Sequence, residues 1–308
     1  MKRRDQNLIE FVILGILGAL VILTLVIPQL VRDRRPVQLL SVSVLFRDTD
    51  NSGWAVARQG MEQAADELGA ELRFLTLTTQ SDSKEQAELA LRELEGGADA
   101  LVAVPADPEA LYFALLRRQV PCQVVTMELP LEGGAGTVSP DNREVGRSLA
   151  RALLEEWDGG EVVLLDNSAA CPETAVRLEA ALEVLNEAGV PTRRTDALPK
   201  GGAARWVMTF EMGATRQAAE ENEDQTFALY GVGSSTAITA QLERGNITAI
   251  AAWSEYAAGY LAVQQAVQAV QGERTALEPL SFSIVRGEDI YAPENQKLLF
   301  PVMSSSGR

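Results

Sequence analysis

The 308-residue chain contains no histidine and only two cysteines, Cys122 and Cys171. Without imidazole there is no Ser–His or Cys–His nucleophile pair and no histidine-ligated metal site. Two cysteines cannot frame a disulfide scaffold, and neither stands in a redox or metal spacing, so they read as unpaired thiols, with one bridge between them as the alternative. Aromatics make up only 6% of residues, which makes each tryptophan worth placing. Positive charge is also short: 27 Lys and Arg stand against 43 Asp and Glu, a formal net charge of -16. Six of those basic residues (Lys2, Arg3, Arg4, Arg32, Arg34, Arg35) fall in the first 36 positions, so the remainder is more acidic still. Such a surface repels phosphate backbones, and nucleic acid is excluded as a partner. Gly231-Val232-Gly233 lacks the third glycine of a dinucleotide fingerprint. Asp48 and Asp50 share a loop, but alternate residues need not converge on one site. No enzyme activity, cofactor or metal is expected.

One long apolar run is present. Phe11 to Val31 is 21 residues without a charge, enough at about 1.5 Å per helical residue to span roughly 30 Å of bilayer core. It ends Val-Ile-Pro-Gln-Leu-Val-Arg-Asp, without the small residues that precede a cleavage site. Residues 1–35 therefore read as a cytoplasmic stub and an uncleaved transmembrane signal anchor. Basic residues flank both ends, so charge alone orients it weakly.

Beyond Pro36, short apolar segments alternate with amphipathic ones. Strands are predicted over 39–46, 71–77, 100–104, 123–127, 136–138, 161–165, 191–195, 206–209, 226–232, 247–253 and 280–284. Helices are predicted between most of them. Ser83-Lys84-Glu85-Gln86 and Asp141-Asn142-Arg143-Glu144 read as capping boxes, and Asp107 caps a helix with Pro108 at its first position. Alternation at these lengths predicts an α/β fold with parallel sheets covered by helices, and this many strands suit two sheets better than one.

From residue 39 onward the order of segments resembles the type I periplasmic binding proteins, the sugar-binding family that includes ribose-binding protein. VSVLFRDTDNSGWAVARQGMEQAADELGAEL is similar to the family's first strand, binding loop and first helix. GGADALVAVPADPEAL, VPCQVVTMELP and VSPDNREVGRSLARALL match its third strand, fourth strand and crossover to the second lobe. LYGVG and LERGNITAIAAWSEYAAGYLAVQQAVQAVQGE match its late strands and return helix. The resemblance implies two Rossmann-like lobes: about 37–139 with 254–280, and 140–253 with 281–303, together the 36–308 domain. It also implies an extracytoplasmic domain on a single-pass membrane anchor, and a small-molecule ligand, expected to be a sugar.

Within that resemblance, the loop after the first strand supplies an amide and an aromatic ring to the ligand, at Asn51 and Trp54. An indole face suits the C–H face of a sugar ring, although Trp54 could instead pin its own helix to the sheet. Glu128 stands where the family places an acceptor for ligand hydroxyls, and Arg177 where an arginine reaches from the second lobe. Departures follow, one at Leu129 in the first lobe and the rest in the second. Leu129, Thr209, Gly233 and Trp253 replace polar residues, which leaves a less polar ligand stacking between Trp54 and Trp253 as one reading and a decayed site as the other. Asp48, Asp50, Ser52 and Gly53 nearly spell a calcium loop, but Gln59 holds the glutamate position. Two roles follow: a receptor feeding an ABC-type permease, or a sensory subunit presenting its domain to a histidine kinase or other membrane partner.

Overall fold

The computed structural model describes residues 39–49, 52–118, 123–169, 171–198, 204–273 and 277–300. The expected anchor, Asn51 and Cys122 lie outside the described residues. No helix among the described residues is long and apolar enough to cross a membrane.

Two sheets organise the chain. The first holds β1 (Leu40–Leu45), β2 (Ala70–Leu75), β3 (Ala100–Ala103), β4 (Gln123–Met127) and β5 (Gly136–Val138), in the order β2-β1-β3-β4-β5. All its pairings are parallel, with Val44 of β1 between Phe74 and Val102. The second holds β6 (Val162–Leu165), β7 (Thr192–Thr195), β8 (Trp206–Met208), β9 (Ala228–Val232), β10 (Ala249–Trp253) and β11 (Phe282–Arg286), in the order β11-β10-β9-β8-β6-β7. Here the parallel expectation needs one correction: β11 runs antiparallel to β10, with Ile284 opposite Ala251. It closes an edge of the sheet.

Nine α-helices are described: α1 (Ala55–Leu68), α2 (Ser83–Glu95), α3 (Pro108–Arg118), α4 (Asn142–Leu154), α5 (Pro172–Glu187), α6 (Met212–Glu220), α7 (Thr236–Glu243), α8 (Glu255–Val270) and α9 (Pro293–Leu299). Asp107 and Asp141 cap α3 and α4 as their sequence contexts predict. At α2 the cap is Asp82 rather than Ser83, its carboxylate accepting from the amides of Lys84 and Glu85. An ionised carboxylate at a helix N-terminus is stabilised by the free amides and the helix dipole, and here it displaces the hydroxyl.

Helix α1 buries Ala57, Gly60, Met61, Ala64 and Ala65, a 3-and-4-spaced stripe of small residues. The matching stripe on α8 includes Ala258, Gly259, Ala262, Val263 and Ala266, and both stripes join the core of the first sheet. A distant segment thus returns to complete that lobe. Helix α4 instead packs with α5 and the second sheet through Val145, Leu149 and Leu153. The chain consequently passes between the lobes after β5, after β10 and again before β11. These passages are tied at Pro140 and Leu280, where the Leu280 amide donates to the Ser139 carbonyl at 2.9 Å.

Candidate ligand-binding cleft

A cleft of about 500 Å³ lies between the lobes, where the carboxyl ends of β1, β4, β9 and β10 meet. In open α/β sheets this is where loops leave the strands and side chains converge. Four of the residues singled out from sequence line it: Trp54, Glu128, Arg177 and Trp253.

Trp54 does two things at once. Its ring stacks on Phe46 at the end of β1, centroids 5.4 Å apart, so it does pin the start of α1 to the sheet. It also borders the cleft, and its indole N–H donates to Asp48 Oδ2 at 2.6 Å. Gln80 Nε2 donates to the other oxygen of Asp48 at 2.7 Å. Asp48 is thereby committed to orienting the loop.

Arg177 is 2% exposed and more firmly built in than a surface helix arginine. Its Nε donates to Asn142 Oδ1 at 2.8 Å and its Nη1 to the Phe210 carbonyl at 2.9 Å. Its guanidinium lies over Trp253, 5.2 Å from the ring centroid, while Nη2 is buried without a partner. Asn142 also donates to the Glu128 carbonyl at 2.9 Å. One hydrogen-bonded chain therefore runs from Glu128 in the first lobe to Arg177 in the second. Glu128 adopts φ +71, an unusual backbone for a glutamate, and that bond helps hold it there.

The residue that most directly joins the lobes was not singled out from sequence. Arg47 follows β1 and is 4% exposed. Its Nη1 donates to Glu128 at 2.6 Å, and its Nη1 and Nη2 fork onto Glu173 of α5 at 3.1 and 2.8 Å. Burial alone would lower the Arg47 pKa, but Glu128 and Glu173 outweigh it and hold the guanidinium well above its ordinary value. Burial pushes Glu128 up to about 7 despite Arg47. For Glu173 burial also pulls upward, yet Arg47 and Arg177 together leave it below the usual carboxylate value. Cys171 precedes this helix as a free buried thiol, its pKa raised by burial.

Glu255, in the first turn of α8, also lines the cleft, and burial pushes its carboxyl up to about 7. The folded state then keeps a proton that the unfolded chain, near 4.5, has released. Stability falls as pH rises through that window and levels off above it. Glu255→Gln is therefore expected to raise the melting temperature at pH 8, by up to about 3 kcal/mol of stability, and to change little at pH 5. A stabilisation equal at both pH values would contradict the shift.

Among the departures noted in sequence, Gly233 borders the cleft at φ +119, and a Cβ there would lie 2.7 Å from Ile238 Cδ1. No side chain is accommodated at that position. Thr209 is fully buried, its hydroxyl bonded to Thr215 Oγ1 at 2.8 Å, and serves the packing of the second sheet.

Residues 42–274 match the family model described as a periplasmic binding protein domain. No curated protein sequence matches the chain. Among solved structures, a carbohydrate transporter solute-binding protein from Agrobacterium radiobacter, in complex with D-arabinose, aligns with TM-score 0.73 and 17% identity. That alignment covers 85% of this chain and 99% of the other. An ABC transporter solute-binding protein from Agrobacterium vitis, bound with α-D-tagatopyranose, aligns with TM-score 0.74 and 15% identity over 84% and 99%. A XylFII–LytSN complex contributes a match with TM-score 0.66 and 16% identity over 82% and 99%.

Proposed function

The chain belongs to the periplasmic binding protein family, and on that footing we propose that its cleft binds a small carbohydrate outside the cytoplasm for an ABC-type uptake system. One observation carries the reading. An indole from each lobe, Trp54 and Trp253, borders the same 500 Å³ cleft as the charged groups of Glu128 and Arg177. A sugar ring has apolar C–H faces and a rim of hydroxyls, and this lining offers a partner for each. The unpartnered Arg177 Nη2 would be satisfied by a ligand oxygen. In this reading Phe11 to Val31 is the membrane anchor that tethers the domain near its permease, raising its effective concentration there. By the family resemblance alone, Asn51 is assigned to the same ligand. We favour a permease over a sensor kinase as the partner, a reading supported by the names of two similar structures, both transporter solute-binding proteins. The XylFII–LytSN complex keeps assembly with another protein in view.

Thermal denaturation of the full chain with a panel of neutral monosaccharides tests the ligand class. At least one should raise the melting temperature. Trp54→Ala should weaken that sugar at least about tenfold, some 1.4 kcal/mol. A flat panel, or an unchanged affinity in the variant, would contradict the reading. Protease added to intact cells should digest the domain; full protection would reverse the proposed orientation.

A further inference from the structure

With every carboxyl group ionised, the cleft lining would hold more negative than positive side chains. Among its described lining residues are five carboxylates (Asp48, Glu128, Glu173, Glu211, Glu255) and three guanidiniums (Arg47, Arg177, Arg216). Most are committed elsewhere. Arg47 is taken by Glu128 and Glu173, Asp48 by Trp54 and Gln80, and Glu211 by the amides of Gly213 and Ala214 in its own helix. Arg216 pairs with Glu220. Glu255 is left with Ser234, through its hydroxyl at 3.3 Å and its backbone amide, and no cation reaches it among the described residues.

A small recess of about 20 Å³ opens beside it. Trp54, Glu128, Trp253 and Glu255 line both the recess and the main cleft, so the two share these four walls. That volume holds one water-sized group. The rest of its wall is apolar (Ala57, Met127, Val138, Pro140, Ala258, Leu280), so a compact cation entering there would meet the two indoles and find its countercharge at Glu128 and Glu255. Trp253 already carries the Arg177 guanidinium over its ring. Hydroxyl groups alone would leave Glu255 protonated near neutral pH, whereas a sugar acid or sugar phosphate would be repelled by the neighbouring carboxylates. The first turn of α8 favours an ionised Glu255 once a cation arrives.

We propose that this recess receives a primary ammonium group, so that the ligand is an amino sugar or amino polyol with Glu255 as its specificity-determining contact. The inference rests on the carbohydrate reading above and narrows it. The ammonium enters the recess between Trp54 and Glu255, while ring oxygens or hydroxyls face Arg177 in the main cleft.

Matched pairs separate the two levels. Calorimetric titration of the full chain at about pH 6.5 would compare D-glucosamine with D-glucose, and D-galactosamine with D-galactose. At least one amine should bind about tenfold tighter or better than its parent. Glu255→Gln, with folding checked by its unliganded melting temperature, should bring that pair to near equality. Parents binding as tightly as the amines, or a preference that survives Glu255→Gln, would overturn the ammonium site while leaving a carbohydrate cleft. No binding by any of the four would overturn the carbohydrate reading itself.

Discussion

Arg47→Met will remove about 3–5 kcal/mol of stability at pH 8 and much less at pH 5. The guanidinium is buried between Glu128 and Glu173, and Glu173 is 1% exposed. Taking away the cation leaves two carboxyl groups out of water with only Arg177 nearby, and breaking one side of a buried pair costs that range. The pH dependence follows from the carboxylates. In the native protein Glu173 titrates below its ordinary value, so it contributes stability above pH 4.5 that is lost as pH falls through its folded value. Without Arg47 its folded value rises instead, and the destabilisation grows as pH climbs. Combining Arg47→Met with Glu173→Gln should recover part of the loss, because only Glu128 is then left without its partner. Chemical denaturation at the two pH values checks this. A loss under 1 kcal/mol, or one independent of pH, would show that Arg47 does not hold the lobes together.

The second large effect is expected in the core of the first lobe. Where α1 crosses α8, a Cβ on Gly60 would overlap the Tyr256 carbonyl oxygen, and one on Gly259 would overlap the Ala57 carbonyl oxygen. These are backbone atoms, so no rotamer change relieves the clash. The helices must part, and the small-residue stripes on both lose contact. Gly60→Ala and Gly259→Ala should each cost about 1–3 kcal/mol. The double variant should cost less than their sum, since a separation forced by one methyl already makes room for the other. Strict additivity would mean the two sites yield independently. Because Glu255 begins α8 and Trp54 precedes α1, the same movement should also weaken ligand binding.

Much of this architecture is legible in the residues, for a physical reason. Continuous apolar segments such as Leu101-Val102 and Val163-Leu164 are buried on both faces, and their alternation with amphipathic helices leaves little choice but parallel sheets. The direction of β11 is different. An edge strand of partly buried residues, Phe282-Ser283-Ile284, carries no local mark of whether it runs with or against β10. Cap identity was also finely balanced, with Asp82 beside Ser83.

The cleft was legible in outline only. The family resemblance singled out Trp54, Glu128, Arg177 and Trp253, and the structure brings all four to one cavity. Arg47 and Glu173 escaped notice because each looks solvated in its own context. One is a charge following an apolar strand; the other is an acid in a helix's first turn. Only the approach of the lobes makes them partners. Glu255 escaped in the same way, since an acid after a serine cap is the ordinary start of a helix.

The central claim is that a small carbohydrate enters between Trp54 and Trp253, and intrinsic fluorescence tests it most directly. Of the four tryptophans, Trp157 and Trp206 hydrogen-bond the Gly160 and Gly159 carbonyls, and neither lines the cleft. Titration of the full chain with the sugars and amino sugars above should give a saturable emission change. That change should persist in Trp157→Phe and vanish in Trp54→Phe/Trp253→Phe. No saturable change with any of them, or one that survives loss of both cleft tryptophans, would contradict the account.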